Sequence, residues 1–532
     1  MTAGSDPGTS GIGAGLAAAR EARPITRGER IHVVGAAGAG ASAAALLAHA
    51  AGALVDGCDS GGPSQYTPPL AEAGIEIAWD HDAAHVTRGP APDRLAVTKA
   101  LTAIAPDHPE LRAARTAGIP IEAWQQVVAD AAAGRRLIAV AGTHGKSTSA
   151  GWLVHVLVAA GADPSAFVGA LLPPADAGGG PATARIGSGE DFVVEADEYA
   201  GNFDPYHPSI AVVTSAEWDH PDVFADGAAV VVAFDQWLRS ARPGPDGTPP
   251  TLVANIADPG VSELAEGLRD WPGRLVAASL VEAGYVETGG ERPLNEAGGV
   301  GDRYATALGA ATLLLGRVVA TSPATTTLEI LGLGPGEPPR RVELPTAGRH
   351  NAANALGVAG AAAAAGVPPE AILAGLASFE GVGRRLERKG EVRGVVVYDD
   401  YGHHPTAIRA TIAAIRQREP GRPVWAVYEP LTYHRTAALI DDFAAALAEA
   451  DAVAIADIWA GRDRDTTIAS AAGLAEAVAG RRPGLVAAAP GSVEATAAWL
   501  AGKVRAGDAV LVMGGGRSYR IGELLLEALD GR

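Results

Sequence analysis

The chain has 532 residues, of which 48% are apolar and 19% charged, a globular balance that excludes a disordered or fibrous protein. Its 61 acidic and 42 basic residues leave a net charge of −19, which argues against a broad nucleic-acid or anionic-membrane partner but leaves room for a local cationic pocket. The single cysteine, Cys58, excludes a disulfide framework and a zinc site built mainly from cysteines, and fits a reducing, cytoplasmic setting.

At roughly 100–200 residues per domain, the length suits three or four domains. Residues 1–28 are rich in Gly, Ala and Ser without apolar periodicity, which predicts a flexible tail; no apolar signal core is visible there. Ile31–Val34, a β-branched run, predicts the first strand. The turn Gly35–Gly40 and an alanine-rich helix to Ala51 follow, with a second strand near Leu54–Asp56. This is the opening of a parallel nucleotide-binding unit. Leu137–Ala141 repeats the pattern and leads through Gly142–Thr148 into a second helix. Apolar runs at Phe192–Val194 and Ile210–Val213 each end in acidic or histidine-bearing loops. The stretch 276–345 reads as short β-like pieces. A third unit begins at Val395–Tyr398 and continues through Val424–Val427, Ala452–Ala456 and Ala509–Met513. Strands alternating with helices in three blocks predict an α/β protein of three domains, 29–134, 135–380 and 381–532. No run of about 20 apolar residues predicts a membrane span.

The strongest chemical signal is Gly142-Thr143-His144-Gly145-Lys146-Ser147-Thr148. A glycine turn between a buried strand and a helix presents backbone N–H groups and the positive end of the helix to phosphate. Lys146, one of only four lysines, can reach the terminal phosphates, and the Ser147 hydroxyl suits Mg²⁺. The first turn, with Gly35, Gly38 and Gly40, is a looser phosphate-binding candidate. Asp56 or Asp59 lies where an acidic residue meets a ribose, which makes a dehydrogenase the rival reading of that unit.

Glu195-Ala-Asp197-Glu198 and Glu217-Trp218-Asp219-His220 follow successive strands, where ligands of open α/β sheets gather. Carboxylates beside a phosphate loop suit Mg²⁺, and His220 suits a second metal or a phosphate oxygen. Asn351 and Asn354, three apart at the start of a helix, can share one face and read an adenine edge. Asp399-Asp400-Tyr401-Gly402-His403-His404-Pro405-Thr406 and Glu429 to Thr436, with Tyr433 and Arg435, are further strand-end loops. Arg435 suits a carboxylate or phosphate.

From Ile31 to the C-terminus these motifs resemble the Mur ligase family. The likeness rests on residues 142–148, Glu-Ala-Asp-Glu at 195–198, Glu-x-Asp-His at 217–220, Gly-Arg-His-Asn-x-x-Asn at 348–354, Arg384-Arg385 and residues 399–406, in that order. The resemblance implies an N-terminal Rossmann-like UDP-sugar domain, a central P-loop ATPase domain and a C-terminal Rossmann-like domain. It implies a cytoplasmic ligase, monomer or homodimer, that uses ATP and Mg²⁺ to join L-alanine to the lactoyl carboxylate of UDP-N-acetylmuramate. It places Lys146 on the β/γ-phosphates, Ser147 and Glu195 on Mg²⁺ and His220 on a second Mg²⁺. Asn351, Asn354 and Asp400 are placed on adenosine. His350, Arg385, Tyr401 and Arg435 are placed near the reacting groups, with His403 and Tyr433 in the same loops and Gly35, Gly38, Gly40 and Asp59 on the UDP-sugar. Thr432 stands where the alanine-adding members carry an arginine, and His434 is the nearest substitute. The run from Glu195 to Tyr199 keeps open a murein-recycling ligase that attaches a tripeptide. A degenerate nucleotide-binding homologue is the other alternative, and intact Lys146, Glu195 and His220 speak against it.

Overall fold

The structure, a computed structural model, describes residues 11–281, 312–334, 336–461, 463 and 465–531. The strands at the centres of its sheets, such as Ile210–Val213, Ala452–Ala456 and Ala509–Gly514, are short β-branched or alanine-rich runs buried throughout, as parallel sheets between helices require. The first sheet holds β1 (Arg30–Val34), β2 (Leu54–Cys58), β3 (Ile77–Ala78), β4 (Arg94–Val97) and β5 (Ile121–Ala123), in the order β3-β2-β1-β4-β5 with parallel pairing. The helix Ala39–Ala50 lies close against it because its buried face is mostly alanine.

The central sheet holds β6 (Arg136–Ala141), β7 (Ser165–Leu172), β8 (Ala182–Arg185), β9 (Asp191–Ala196), β10 (Ile210–Val213), β11 (Thr251–Asn255), β12 (Arg274–Leu280), β13 (Thr312–Thr321), β14 (Thr326–Leu331) and β15 (Arg340–Leu344). Among the described residues its order is β15-β14-β13-β12-β11-β10-β6-β9-β7-β8. β6 lies between β10 and β9, and Ala141 is level with Val213 and Ala196. The loops that leave these three strands therefore open at one end of the sheet. The loosely patterned stretch after 276 extends this sheet: β12 and β13 pair in parallel, then β13, β14 and β15 turn antiparallel. The short β-like pieces expected there form one edge of this sheet, and residues 282–311 lie outside the described chain.

The third sheet holds β16 (Glu387–Val392), β17 (Val395–Asp400), β18 (Val424–Glu429), β19 (Ala452–Ala456), β20 (Val486–Gly491) and β21 (Ala509–Gly514), in the order β16-β17-β21-β18-β19-β20. Only β16 runs antiparallel, at the edge. The molecule is an α/β protein of three domains. Among the described residues no helix is long and apolar enough to cross a membrane.

One expectation is corrected here. Residues 11–28, read as part of a flexible tail, are docked on the first sheet. Ala17 N–H donates to Ile121 O at 2.8 Å. Arg20 pairs with Glu122 and Asp130 at 2.9 and 2.7 Å, and Arg23 pairs with Glu29 at 2.6 Å. Arg94, buried beneath them, pairs with Glu29, Glu122 and Asp130 at 3.0, 2.7 and 2.5 Å. Charge pairing orders a segment whose composition lacks an apolar pattern. Residues 1–10 lie outside the described chain.

Candidate active site

β6 brings the chain to the loop Gly142–Gly145, and the helix Lys146–Ala159 leaves it. Gly142 and Gly145 sit at φ +137° and +81°, a region only glycine enters cheaply. A Cβ would stand 2.2 Å from Thr214 Oγ1 at Gly142 and 2.7 Å from Asn354 Oδ1 at Gly145. The loop thus lies flat against the start of the neighbouring strand-end loop and against the helix Arg349–Ala364. Lys146 Nζ donates to Gly142 O at 2.6 Å and Glu198 Oε2 at 3.1 Å, with Asp197 Oδ1 3.8 Å away. Burial opposes its charge, but Glu198, Asp197 and Glu195 outweigh burial and keep the ammonium protonated. Burial lifts the Glu198 carboxyl to about 7 in spite of Lys146. Ser147 Oγ donates to Glu195 Oε1 at 2.9 Å, and Glu195 Oε2 accepts the Gly169 N–H at 2.6 Å.

The loops after β10 and β17 face this one. His144 Nε2 lies 3.0 Å from Glu217 Oε1. Burial, helped by His404 and Lys146, draws the His144 ring down to about 3, so it is neutral. Glu217 Oε2 accepts from Thr406 Oγ1 at 2.6 Å. Arg435 grips Asp219 with two nitrogens at 2.7 and 3.0 Å, and its Nη2 lies 3.1 Å from His220 Nδ1. Burial opposes the Asp219 charge, but His220 and Arg435 hold its carboxyl far below the usual range. Arg385 Nη2 donates to Ser147 Oγ at 2.7 Å. These bridges join the central and C-terminal domains across a cavity of about 560 Å³.

The C-terminal wall is tightly held. Asp400 accepts the Leu386 and Gly402 N–H groups at 2.8 and 2.7 Å. Arg384 donates to Asp399, Gly514 O and Ser518 Oγ, and the guanidinium carbons of Arg384 and Arg385 stand 5.1 and 4.8 Å from the centre of the Tyr401 ring. His220, Arg384 and Thr432 hold positive φ of 55°, 58° and 59°; such strain in non-glycine residues collects at functional sites. Asn354 Nδ2 donates to Asn351 Oδ1 at 3.3 Å, so the two amides do share one helix face. Burial pulls the His350 ring below its ordinary value.

Residues 30–136 match the Mur ligase family, catalytic domain, and residues 384–516 match the Mur ligase, glutamate ligase domain. The chain is 36% identical over 528 residues to the UDP-N-acetylmuramate–L-alanine ligase of Frankia casuarinae, covering 94% of this chain and 98% of that one. The chain belongs to the Mur ligase family. A ligase of the same name from Kineococcus radiotolerans is 37% identical over 511 residues, 96% of this Mur ligase and 98% of its relative. Two solved structures share the fold: a UDP-N-acetylmuramate–alanine ligase of Thermotoga maritima (TM-score 0.70, 22% identical, 94% of this chain and 99% of that) and a murein peptide ligase of Psychrobacter arcticus (TM-score 0.65, 24% identical, 95% and 99%).

In this Mur ligase the cavity is lined by Thr143 to Thr148, Glu195, His220, His350, Asn351, Asn354, Arg385, Asp400, Tyr401, His403 and Arg435. The sequence motifs thus converge from five strand ends, those of β6, β9, β10, β17 and β18, and from one helix. Gly35, Gly38, Gly40 and Asp59 stay with the first sheet and do not line it. A Cβ at Gly40 would meet the Trp124 ring at 2.2 Å, so close packing explains that glycine. Asp59 accepts the Ala37 and Gly61 N–H groups at 3.0 and 2.8 Å and shapes its own loop. Tyr433 is outside the lining, while Thr432 and Arg435 on either side are in it. His434 does not stand in for an arginine: its backbone N–H and its ring turn to Asp463, at 2.9 and 3.2 Å. The partners missing from the predicted set are Asp197, Glu198, Glu217, Asp219 and Arg384. Their motifs were visible, but which acid would meet Lys146 or Arg435 depends on loop geometry.

Proposed function

We propose that this chain joins L-alanine to the lactoyl carboxylate of UDP-N-acetylmuramate at the expense of ATP, through an acyl phosphate, in cytoplasmic synthesis of peptidoglycan precursor. The observation that carries this is the near-full-length likeness to alanine-adding ligases, in a chain whose Lys146 stands in a glycine cradle facing paired carboxylates. We assign residues 29–134 to the UDP-sugar, 135–380 to ATP and 381–532 to the amino acid and part of the nucleotide.

A carboxylate is a poor acyl donor because oxide would have to leave. Phosphoryl transfer to it creates a leaving group, and the amine then displaces phosphate. Such a transfer needs charge stabilisation more than a covalent nucleophile. Lys146 supplies a fixed positive charge at the β/γ-phosphates, and the Gly142–Gly145 backbone leaves room for them to approach. Ser147 and Glu195 are hard oxygen donors held together, which fits Mg²⁺, and Asp197, Glu198 and His220 form a second group with ligand atoms within 4.8 Å of one another. Mg²⁺, when bound, would neutralise charge on the phosphate oxygens. Asn351, Asn354 and Asp400 are assigned to adenosine. Arg385, His350, Tyr401, His403 and Arg435 are assigned to the acceptor carboxylate and the amino acid. The bridges Arg385–Ser147, Thr406–Glu217 and Arg435–Asp219 close the C-terminal domain over the site, which keeps water from the acyl phosphate.

The test is phosphate release from ATP with UDP-N-acetylmuramate and, in turn, alanine, glycine, serine or the tripeptide. Alanine is expected to give the highest kcat/KM. Turnover with the tripeptide alone would transfer the assignment to a recycling ligase, and a reduced nicotinamide signal in place of phosphate release would support the dehydrogenase reading.

A further inference from the structure

Beneath the Gly35–Gly40 turn, a second group of ionisable side chains takes no part in the ligase chemistry. His32 projects from β1, Cys58 ends β2, His81 and His85 follow β3, and His108 and Glu110 stand at the start of the helix Pro109–Ala117. His32, Cys58, His108 and Glu110 are each no more than 5% exposed. Ligand atoms of His32, Cys58, His85 and Glu110 all lie within 4.8 Å of one another. Glu110 is the hub: its Oε1 is 2.8 Å from His85 Nδ1, and its Oε2 is 3.1 Å from Cys58 Sγ and 3.6 Å from His32 Nε2.

Two observations separate this group from an ordinary buried ion pair. Buried polar atoms are normally hydrogen-bonded, yet His32 Nε2 and both ring nitrogens of His108 have no hydrogen-bond partner. The outer contacts are also informative. His32 Nδ1 lies 2.7 Å from Asp56 Oδ1, and His85 Nε2 lies 3.5 Å from Asp80 Oδ1. A carboxylate behind an imidazole fixes the proton on the outer nitrogen and turns the inner lone pair toward the centre, as behind metal-bound histidines.

We propose that His32 Nε2, Cys58 Sγ, His85 Nδ1 and one Glu110 oxygen bind a single Zn²⁺ in a closed, four-coordinate site, with His81 and His108 packed beside it. Thiolate, imidazole and carboxylate together suit zinc, whereas Mg²⁺ takes oxygen donors. Binding releases the Cys58 thiol proton to solvent, with no change of oxidation state. Gly35 and Ala36 N–H donate to the Cys58 carbonyl at 2.9 and 3.0 Å, so the ion ties the glycine turn to β1, β2 and the helix behind them.

The experiment uses the full-length chain, stripped with a chelator and titrated with Co²⁺ and then Zn²⁺. One equivalent of Co²⁺ is expected to give the intense visible bands of tetrahedral cobalt and a sulfur-to-cobalt charge-transfer band, and Zn²⁺ is expected to abolish both. Because Cys58 is the chain's one cysteine, that charge-transfer band cannot arise at the nucleotide site. Cys58→Ser removes it, and His85→Ala weakens Zn²⁺ binding by more than about 100-fold. Asp56→Asn keeps all four ligands and the band but weakens binding by about 10–100-fold; its side chain is largely exposed, so it remains informative if a core variant does not fold. A wild-type spectrum without the sulfur band, or Zn²⁺ affinity equal in wild type and His85→Ala, overturns the site. Turnover of ATP plays no part in any of these readings.

Discussion

The turn Gly35–Gly40 and the loop Gly142–Gly145 both follow a buried strand and open a helix, yet they are filled differently. At the first, the Trp124 ring occupies the space above Gly40, and the Gly35 and Ala36 N–H groups are spent on Cys58 O. At the second, Lys146 and three carboxylates surround the loop. The strand-end turn Gly514–Gly516 is a third variant, where a Cβ at Gly516 would stand 2.7 Å from Glu429 Oε2. One backbone motif thus serves as packing, as the proposed phosphate cradle and as cover for a buried acid, and neighbouring side chains decide which.

Substitutions at each turn break or sharpen that contrast. Lys146→Ala is expected to lower kcat/KM for phosphate release on the order of 10³-fold with an unchanged circular dichroism spectrum; near-normal turnover would remove the cradle assignment. Gly145→Ala pushes a methyl group toward Asn354 and is expected to cost about 10²-fold in kcat through misplacement, with only a small change in melting temperature. Gly40→Ala should do the reverse: about 2–3 kcal/mol of stability lost by overpacking against Trp124, with kcat per folded molecule retained. If it instead abolishes turnover in a stable protein, the first turn is more than packing.

The third turn gives a pH test. Burial pushes the Glu429 carboxyl from 4.5 to about 6. The folded chain then holds this proton more tightly than the unfolded chain. Its contribution is fully present below about 4.5, falls as pH rises, and is gone above about 6, a change of roughly 2 kcal/mol. Glu429→Gln is expected to flatten that part of the stability–pH curve in denaturant titrations. An unaltered slope would mean that Glu429 is ionised throughout.

The alternation of strands and helices and the order of the motifs made the three-domain architecture and the cavity wall legible, because local pattern sets strands and strand ends collect ligands. Long-range pairing was not legible. Arg435 with Asp219, Thr406 with Glu217 and Arg385 with Ser147 join residues whose meeting depends on how two domains face one another. Glu198 rather than Glu195 meets Lys146, because Glu195, still inside β9, is engaged by Ser147 and the Gly169 N–H. The histidines around Cys58 are scattered from 32 to 108 and carry no motif, so a search for cysteine pairs passes over them.

The docking of residues 11–28 has a consequence for any shortened form of the chain. Arg20 and Arg23 share Glu29, Glu122 and Asp130 with Arg94. Trimmed away, they would leave three sequestered acids crowded on one guanidinium, and mild acidification, by discharging one of them, would restore part of what trimming removed.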